Sequence, residues 1–459
     1  MLQTDSQDTG KRIAIFTNSF PYGKGEPFLE DEIEFTAKEF AQVDIFPLYI
    51  PAGDEGEIVR SIPHNAVVHP PMLKGDHKDK KSLLLNGLCN CAPIWFALKE
   101  FMERKVYSSR KKIWLWGNYL CILRSILSNK ERMKEIVGIL EKCSAAYFYW
   151  GDKSALAIPF LKRKLEKVPS FAVRFHGSDI YEEAKGYLPF REMLYGSIDH
   201  AVTISENGKE YIEKNYTCQP ADIKVFRLGS SYHSDACPNL GAPVPLKENQ
   251  ADTTGAYNIV SCSNVIELKR VHLIAGAMII LEQDSELAAA IRDKGISHIC
   301  WTHIGDGPLL EPIKEYLIEN GPSHENGAET TPIAFNFPGA MPHSKVMEYY
   351  QTHYTDLFVQ VSRSEGIPVS IMEALSFGTP AMATNVGGVA ELLPPGCGCG
   401  KLLPKDLTAQ QLAQELKEWI LKSLQLPEFD LALAARRQWE EKWDCRKNYT
   451  AFARFLSSL

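Results

Sequence analysis

The stretch Glu365–Gly388, EGIPVSIMEALSFGTPAMATNVGG, decides the fold and the functional class of this chain. Pro368 suits the first position of a helix, because its ring presets φ and its missing N–H would have been unpaired there anyway. Gly378 is a natural residue to end that helix, and Pro380 cannot continue it. The stretch therefore predicts a short helix over Val369–Phe377.

Two glutamates bracket the start of this predicted helix. Glu365 lies in the loop before it and Glu373 lies inside it, so the helix N-terminus falls between their carboxylates. Free N–H groups at a helix N-terminus bind anions such as phosphate, and carboxylates accept hydrogen bonds from hydroxyls. Sugar hydroxyls, diphosphate and ribose hydroxyls follow in that order in a nucleotide sugar. A solvated surface helix would not require the surrounding glycines and prolines, and a glycosidase pair would flank a single scissile bond.

The stretch resembles the signature of the retaining glycosyltransferases of family 4, the group 1 transferases, which have the GT-B architecture. The resemblance covers most of the chain, weakly in the first half and strongly from about Tyr257 onward. It implies an α/β fold of two Rossmann-like domains that face each other across a cleft. It also implies a UDP- or GDP-linked sugar as donor in the C-terminal domain and an acceptor in the N-terminal one.

Composition sets broad limits on the function. The 459 residues are 45% hydrophobic and 23% charged, as expected for a globular protein of two domains. The net charge of −7 argues against general nucleic-acid binding. The first twenty residues do not look like a signal peptide, no long apolar run is evident, and the 11 cysteines are scattered. These features predict a cytoplasmic protein. Cys397 and Cys399 have no second pair nearby, so a Gly/Pro-rich turn is favoured over a metal site.

Short apolar runs alternate with longer amphipathic stretches along the chain. Alternation of this kind indicates parallel sheets with helical crossovers. The predicted strands are Arg12–Thr17, Val43–Pro47, Tyr147–Trp150, Phe171–Phe175, Ala201–Ser205, Ile259–Cys262, His298–Ile304, Ile333–Phe337, Leu357–Val361 and Ala381–Thr384. Among the helical patterns are Asp31–Phe40 and Pro312–Ile318.

One segment between the two halves lacks apolar periodicity and is rich in Pro, Gly and polar residues. We therefore predict a linker over 237–256. It separates an N-terminal acceptor-binding domain, 1–236, from a C-terminal donor-binding domain, 257–430. The final stretch, 431–459, has a helical pattern, and the resemblance implies that it crosses back to the first domain.

The segment from about 74 to 140 stands out in the first half, because it is rich in Lys and Arg and carries five large aromatic residues: Trp95, Phe96, Phe101, Trp114 and Trp116. A basic, aromatic helical segment can lie on an anionic membrane surface, here the inner face of the membrane. Alternatively, the aromatic side chains pack inward and the charges form a solvated face. The irregular apolar pattern favours this second interpretation.

Two cations follow a predicted strand in IVSCSNVIELKRVHLI. Members of the family often have an Arg soon after this strand and a Lys about five residues later, and both bind the donor diphosphate. Lys269 matches the second cation, but Asn264 stands where the Arg is expected. Arg270 is our candidate for the missing charge. The resemblance thus implies that Lys269 and Arg270 stabilise the departing diphosphate.

Two further segments of the second half are candidates for the donor site. In HIGDGP (303–308) the glycines would let the backbone approach a ligand at the carboxyl end of the sheet, although a tight turn explains them equally well. FNFPGAMP (335–342) resembles the family segment that holds the nucleobase. The predicted donor-binding residues are Gly305, Asn336, Phe337, Gly339, Gly366, Ile367, Pro368, Ser370 and Glu373. Glu365 is predicted to hold the donor sugar, and Glu373 the ribose.

The first half contributes two looser matches. RFHGSD (174–179) resembles the family's His-Gly-x-Asp element, which would place His176 near the transferred sugar, while Asp179 would serve as a helix cap. NSFPYGKGEPFLEDE (18–32) follows the first strand and resembles a glycine-rich acceptor loop. Its predicted acceptor-binding residues are Gly23, Gly25 and Glu26. An ordinary strand-to-helix loop, with Glu26 near a helix N-terminus, is an equal alternative.

Taken together, the sequence predicts a retaining transferase that moves a hexose from a nucleotide diphosphate sugar to a sugar or lipid-linked acceptor. The predicted catalytic residues are His176, Lys269, Arg270 and Glu365. The resemblance suggests surface polysaccharide or lipopolysaccharide synthesis as the setting. It also implies that the leaving phosphate takes the acceptor proton, without a protein base, a bound metal or a cofactor. A nucleotide-sugar epimerase of the same architecture and a non-catalytic binding partner are the alternatives, and Asn264 is the feature that favours the latter.

Overall fold

The computed structural model describes residues 10–23, 25–51, 53, 56–73, 93–231, 255–321 and 331–459. The chain divides into two compact units. The first comprises Met1–Leu228 together with Cys445–Leu459, and the second comprises Gly229–Asp444. The predicted linker, 237–256, lies outside the described residues except for its last two positions.

The first unit is built on a parallel sheet. Its strands are β1 (Arg12–Thr17), β2 (Gln42–Pro47), β3 (Ala66–Val68), β4 (Ala145–Phe148), β5 (Ser170–Phe175), β6 (His200–Thr203) and β7 (Asp222–Val225). They are arranged in the order β3-β2-β1-β4-β5-β6-β7, and every neighbouring pair is parallel. The five strands predicted here are confirmed to within a few residues. The sequence missed the two edge strands, β3 and β7.

Helices cover both faces of this sheet. They are α1 (Pro27–Ala37), α2 (Ile94–Glu103), α3 (Arg110–Ser128), α4 (Lys130–Leu140), α5 (Ile158–Lys162), α6 (Gly177–Ile180), α7 (Glu182–Lys185), α8 (Arg191–Tyr195) and α9 (Glu206–Asn215). Ile13 and Ile15 of β1 pack into the core on one face, while Ala14 and Phe16 pack into the core on the other. This alternation follows from the two-residue period of a strand, and it explains why β1 is apolar throughout.

The second unit is a six-stranded parallel sheet. Its strands are β8 (Ala256–Cys262), β9 (His298–Ile304), β10 (Ile333–Gly339), β11 (Leu357–Gln360), β12 (Ala381–Thr384) and β13 (Gly400–Leu403), in the order β10-β9-β8-β11-β12-β13. Its helices are α10 (Val271–Glu282), α11 (Ser285–Asp293), α12 (Leu310–Asn320), α13 (His343–Thr352), α14 (Val369–Ser376), α15 (Val389–Leu392), α16 (Ala409–Ser423) and α17 (Glu428–Lys442). Two parallel α/β units confirm the predicted fold class.

The end of the chain forms two helices rather than one. α17 stays in the second unit, where Arg436 donates from Nη1 to the carbonyl of Ser376 at the C-terminus of α14. The last helix, α18 (Cys445–Ser458), belongs to the first unit, where Phe452 packs 5.1 Å from the ring of Tyr147. The helix that joins the first unit therefore begins at Cys445, whereas the sequence placed its start at 431.

The basic, aromatic segment is partly described, since 74–92 lie outside the described residues. Its aromatic side chains divide between the two predicted arrangements. Phe96, Phe101 and Trp116 pack against the core, whereas Trp95 and Trp114 are exposed. In the part of the chain that the structure describes, no helix is long and apolar enough to cross a bilayer.

Candidate functional site

The strand order of the second unit defines where a ligand would bind. From β8 the chain proceeds to β9 and β10 on one side of the sheet and then crosses to β11, β12 and β13 on the other. At such a switch point the loops that leave the two central strands diverge, and ligands of parallel α/β sheets bind in the crevice between them. The loops after β8 (263–270) and β11 (361–368) thus delimit the candidate site, and both contain predicted site residues.

An ion pair links these two loops. The Nζ atom of Lys269 lies 2.5 Å from Oε1 of Glu365, and both side chains are largely buried. Oε1 also accepts a hydrogen bond of 2.6 Å from the side-chain amide of Gln360, the last residue of β11. Both of these hydrogen bonds end on Oε1. Among the described residues Oε2 has no hydrogen-bond partner, so it can accept a hydrogen bond from a ligand hydroxyl.

Gln360 connects the pair to the following helix. Its Oε1 accepts a hydrogen bond of 2.9 Å from the hydroxyl of Ser370, which is in the first turn of α14. Lys269, Glu365 and Ser370, which the sequence selected separately, are therefore joined through one amide side chain. Gln360 itself was missed, although a lone polar residue at the carboxyl end of the apolar run LFVQ was a signal that could have indicated it.

Helix α14 begins and ends much as its sequence predicts. Pro368 is the residue immediately before the helix, with ψ at 115°, and not its first helical residue. The helix itself starts at Val369, as predicted, so only the position of Pro368 relative to that start differs from the expectation. At the other end Gly378 has φ 77°, its N–H donates to Leu375, and the N–H of Thr379 donates to Ala374. This is the Schellman pattern, in which a left-handed glycine satisfies the last carbonyls of a helix.

The glycines of the NVGG run support the Glu365 loop by allowing close contact. Gly387 has φ 54°, and a Cβ atom there would lie 1.9 Å from the carbonyl oxygen of Glu365. The N–H of Gly388 donates to the carbonyl of Gly366 at 2.7 Å, and a Cβ atom at 388 would lie 2.4 Å from Ile367. Gly366 and Ile367 are therefore held against the chain that follows β12, which fixes the loop carrying Glu365.

Glu373 is buried on α14 and is paired with a residue that the sequence did not single out. Oε1 of Glu373 lies 2.8 Å from Nε2 of His343, at the start of α13. Burial, together with the negative charge of Glu373, raises the pKa of the nearby thiol of Cys262 to about 12. Cys262 therefore stays a neutral thiol at neutral pH. The hydrogen bond from His343 holds the carboxylate of Glu373 in position.

Arg270 does not have the role that the sequence assigned to it. It is buried with φ 52°, its Nε donates to the carbonyl of Val361 at 2.6 Å, and its Nη2 donates to the carbonyls of Ser362 and Lys405. These bonds satisfy backbone carbonyls that would otherwise be unpaired in a buried loop. The guanidinium thus braces the loop after β11, and we correct its assignment from diphosphate binding to positioning.

Gly305 and Gly307 also serve the protein itself. A Cβ atom at Gly305 would lie 1.9 Å from the carbonyl oxygen of Ser263, and one at Gly307 would lie 2.5 Å from that of Val265. The glycines thus let the loop after β9 lie against the loop after β8, and donor binding by Gly305 stays a prediction. His303, near the end of β9, is fully buried next to these loops. Burial lowers its pKa to about 4, so its ring is neutral at neutral pH.

The nucleobase candidates lie on the edge strand β10. Asn336 is exposed, whereas the ring of Phe337 packs edge-on against Trp301 at 5.4 Å. Gly339 has φ 79°, and its carbonyl accepts the N–H of Gly305 at 2.9 Å. The segment therefore borders the loop after β9, and base binding by Asn336 stays a prediction.

In the first unit, Glu26 is a structural centre. Its carboxylate accepts the N–H groups of Asn18 at 2.8 Å, Ser19 at 2.7 Å and Phe20 at 2.7 Å, and the indole N–H of Trp150 at 2.7 Å. Four donors occupy both oxygens of this buried group. Glu26 therefore shapes the loop after β1, which corrects the expectation that its carboxylate binds an acceptor hydroxyl.

The two acceptor-loop glycines are part of the same turn. Gly23 has φ 66°, a conformation that favours glycine, and a Cβ atom at Gly25 would lie 2.9 Å from the hydroxyl oxygen of Ser19. The loop is thus compact because of its own contacts. Acceptor binding by Gly23 and Gly25 stays a prediction.

In the first unit, His176 has the features expected of a ligand-binding residue. It is buried, and neither ring nitrogen has a hydrogen-bond partner among the described residues. Its ring lies 4.3 Å from the ring of Trp150, which Glu26 holds through the indole N–H. A buried polar group without a partner is costly unless a ligand or water satisfies it. Trp150, which positions this ring, was missed by the sequence.

Two further predictions concern local structure. Asp179 accepts the backbone N–H groups of His176 and Gly151, so its predicted role as a cap of the short helix α6 is confirmed. Cys397 donates its N–H to the carbonyl of Pro394 at 3.1 Å, and Gly396 has φ 78°. The PPGCGCGK segment is therefore a turn, as predicted.

The two parallel α/β units have the GT-B fold. Over 98% of this chain, the structure of the lipopolysaccharide outer core galactosyltransferase WaaB is similar, with a TM-score of 0.61 and 15% identity over 100% of that chain. A trehalose-6-phosphate structure from E. coli, bound with UDP-2-fluoro glucose, is similar over 98% of this chain and 99% of its own, with a TM-score of 0.65 and 13% identity.

Sequence comparison adds a family signature. Residues 325–438, which include Glu365 and Glu373, match the family model of the glycosyl transferases group 1. The putative colanic acid biosynthesis glycosyltransferase WcaL of Salmonella typhimurium is 26% identical over 259 residues. That alignment covers 54% of this chain and 54% of WcaL, so the chain matches about half the length of this relative.

Proposed function

We propose that this protein is a retaining glycosyltransferase of the family 4 type, which moves a hexose from a nucleotide diphosphate sugar to a sugar or lipid-linked acceptor. The carrying observation is the Lys269–Glu365 ion pair of 2.5 Å, which joins the loops after β8 and β11 at the switch point of the second sheet. A cation, a carboxylate and a helix N-terminus at one place suit a ligand that combines diphosphate with hydroxyls.

In this proposal Lys269 and the start of α14 bind the diphosphate. An ammonium group has three donors, so Lys269 can keep its bond to Glu365 and still donate to a phosphate oxygen. The first N–H groups of a helix have no partner within the helix. Because Arg270 is committed to backbone carbonyls, Lys269 is the cation that neutralises the charge of the departing diphosphate in the proposed mechanism.

The two glutamates have separate roles. Glu365 would hold a hydroxyl of the donor sugar with Oε2, since Oε1 is bonded to Lys269 and Gln360. Glu373 would accept the ribose hydroxyls, with His343 fixing the orientation of its carboxylate. Ser370 and Glu373 are one turn apart on α14, so they lie on the same side of the helix. The helix would thus support the nucleotide sugar as one rigid element.

His176 would contact the transferred sugar as positive character develops at its anomeric carbon. The support for this role is the buried ring with two nitrogens that lack partners among the described residues. The departing phosphate would accept the acceptor proton, without a protein base, a bound metal or a cofactor. Cytoplasmic location and a place in surface polysaccharide or lipopolysaccharide synthesis belong to the same proposal, which the names of WcaL and WaaB support. The epimerase alternative is not favoured.

Thermal stabilisation by nucleotides tests the donor site. UDP, GDP, ADP, CMP and their common sugar conjugates are added to the full chain, and the unfolding midpoint is recorded. A ligand at about 100 times its dissociation constant adds about 2.7 kcal/mol of stability. We expect one diphosphate to raise the midpoint selectively, and Lys269→Ala or Glu373→Ala to abolish the shift. Lys294→Ala, which changes an exposed lysine outside the site, is the matched control.

The outcome of each arm is distinct. No shift with any ligand would count against the donor site. A shift that persists in both variants would place the nucleotide elsewhere. Incubation of the identified donor alone separates transfer from epimerisation, because an epimerase needs no acceptor. The anomeric configuration of the product, determined by NMR, tests retention.

A further inference from the structure

We infer that Cys397 and Cys399 form a redox-active dithiol, which a low-molecular-weight disulfide converts reversibly to an intramolecular disulfide bond. The Sγ atoms of the two residues lie 2.6 Å apart, although both cysteines are free thiols. A disulfide bond has a length of about 2.05 Å, so bond formation would bring the two sulfurs only about 0.5 Å closer. The pair is thus already near the arrangement of the oxidised state.

Glycines on either side of Cys397 bring the two side chains together. Gly396 has φ 78° and Gly398 has φ 69°, so the backbone is left-handed just before and just after this cysteine. The resulting turn directs the N–H of Cys399 back to Sγ of Cys397, at 3.2 Å. Two cysteines that are separated by one residue therefore meet through a tight glycine turn.

Exposure and hydrogen bonding give the two thiols different roles. Cys397 is partly exposed, whereas Cys399 is fully buried. Sγ of Cys397 accepts hydrogen bonds from the thiol and the N–H of Cys399, and these bonds hold the pKa of Cys397 below its ordinary value. The same thiol contact, together with burial, raises the pKa of Cys399. Because the thiolate is the nucleophile in disulfide exchange, Cys397 is the sulfur that attacks an external disulfide.

Two exchange steps form the internal bond when glutathione disulfide is the oxidant. In the first, the thiolate of Cys397 attacks one sulfur of glutathione disulfide, which forms a mixed disulfide and releases one glutathione thiolate. In the second, Cys399 gives its proton to the released thiolate and its sulfur attacks Sγ of Cys397, which releases the second glutathione as a thiolate. Two protein thiols are thus oxidised while one glutathione disulfide is reduced. Cys399 needs no access to solvent, because its target is the sulfur beside it.

The surroundings fix Cys399 and leave Cys397 able to move. The carbonyl of Cys399 accepts the N–H of Ala381 on β12 at 3.0 Å, which ties its backbone to the sheet. A Cβ atom at Gly396 would meet nothing within 4 Å, so there is open space beside the turn. The small shift that the bond requires can therefore come from Cys397 and its flanking glycines, while β13 stays in place.

Oxidation also leaves the neighbouring helix end satisfied. The carbonyl of Leu392, the last residue of α15, lies 3.8 Å from Sγ of Cys399 and can accept its thiol hydrogen. After oxidation this carbonyl still accepts the side-chain amide of Gln438 at 3.2 Å. Loss of the thiol hydrogen therefore does not leave that buried carbonyl unpaired, which would have opposed the oxidised state.

This inference does not rest on the proposed function, because disulfide exchange requires no nucleotide. In the test, the full chain is reduced, freed of reductant and equilibrated with mixtures of glutathione and glutathione disulfide that range from reducing to oxidising. Remaining thiols are blocked with iodoacetamide, and the digested chain is analysed by mass spectrometry. We expect the peptide that contains both Cys397 and Cys399 to lose two hydrogens under oxidising conditions, and dithiothreitol to restore both thiols.

Single variants separate the two roles. Cys399→Ser should stop the reaction at a mixed disulfide of glutathione with Cys397, because no second sulfur completes the exchange. Cys397→Ser should leave Cys399 unmodified under the same conditions, because that thiol is fully buried. Cys89→Ser with Cys91→Ser is the matched control, since it removes another pair of the same spacing. It should leave the disulfide between Cys397 and Cys399 unchanged.

The wild type alone can overturn the inference, so the result does not depend on how well the variants fold. The inference is refuted if both thiols stay reduced in excess glutathione disulfide, or if the wild type stops at the mixed disulfide. A covalent dimer on a non-reducing gel that disappears in Cys397→Ser would also refute it, because the bond would then join two chains.

Discussion

Glu26 and Glu365 are the same residue type in comparable places, yet the structure uses them differently. Each follows a central strand of a parallel sheet, and each was predicted to bind hydroxyls. Glu26 accepts four N–H donors from its own loop and from Trp150, which occupies both oxygens. Among the residues that the structure describes, Glu365 accepts hydrogen bonds from Lys269 and Gln360 alone, both on Oε1. The number of donors that the protein itself supplies thus decides whether a buried carboxylate organises a loop or remains able to bind a ligand.

The largest expected effect is on the Lys269–Glu365 pair. Lys269→Met removes the cation that would stabilise the departing diphosphate, so we expect kcat/KM to fall by about 100- to 1000-fold, as for loss of one charge-stabilising group. Some fall in the unfolding midpoint is also expected, because the largely buried carboxylate of Glu365 loses its cation, so activity is measured well below that midpoint. Release of nucleoside diphosphate from the donor identified above measures the activity, with Lys294→Met as the matched control. A loss of less than about threefold would mean that the reacting diphosphate lies elsewhere.

Glu26 should show the opposite pattern, with a stability effect. Glu26→Ala leaves the buried N–H groups of Ser19 and Phe20 unpaired. Together these two unpaired groups should lower the free energy of unfolding by about 3 kcal/mol. Glu34→Ala, which changes an exposed residue on α1, the helix that begins just after Glu26, should cost less than about 0.5 kcal/mol. The midpoint of thermal unfolding measures both. If Glu26→Ala were as stable as Glu34→Ala, the contrast between the two carboxylates would collapse.

The support behind Glu365 can be tested by one methyl group. Gly387→Ala places a Cβ atom 1.9 Å from the carbonyl oxygen of Glu365, whereas Gly396, with φ 78°, has nothing within 4 Å of that position. Both substitutions place alanine in a left-handed backbone conformation. The difference between their free energies of unfolding therefore measures the clash of the new Cβ atom with the carbonyl of Glu365. We expect Gly387→Ala to be about 2 kcal/mol less stable than Gly396→Ala and to bind the nucleotide more weakly. Equal stability of the two variants would show that the loop carrying Glu365 can shift to accommodate the Cβ atom without a measurable cost.

The smallest effect concerns acid. His303 is buried and neutral with a pKa of about 4, below its unfolded value of about 6.5. Its contribution to stability is therefore complete above about pH 6.5 and is lost as the pH falls toward 4. Near pH 5.5 the loss should be about 1 kcal/mol. His303→Gln should reduce this part of the pH dependence, which unfolding midpoints at several pH values would reveal. An unchanged slope in the variant would assign the acid sensitivity to other groups.

The sequence predicted the central strands because their apolar runs are long and bounded by turn residues. It missed β3, β7 and β13, which lie at sheet edges. Ala66–Val68 has only three residues, too few for its apolar run to stand out, and Asp222–Val225 carries two charges that interrupt an apolar pattern. An edge strand is defined by its pairing with one neighbour, and that pairing is not visible in local sequence.

Site residues divide in the same way. Lys269, Glu365 and Glu373 could be selected from their positions near strand ends and a helix start. Their partners were harder to select. Gln360 was indicated only as a lone polar residue at the end of an apolar run, and His343 reaches Glu373 from another helix. Arg270 was assigned from its charge, and only the structure showed that its Nε and Nη2 atoms donate to backbone carbonyls.

By itself, therefore, the sequence determined the parallel α/β class, the start and end of α14, and the residue types of an anion-binding loop. These depend on local periods and on glycine and proline, whose conformational limits are properties of the residue. The tertiary structure alone decided that both oxygens of Glu26 are occupied while Oε2 of Glu365 has no partner among the described residues. It also decided that Trp95 is exposed while Phe96 is partly buried against the core. Such differences depend on which groups from distant parts of the chain meet, because a side chain's donors, acceptors and apolar surface are satisfied only by contacts in space.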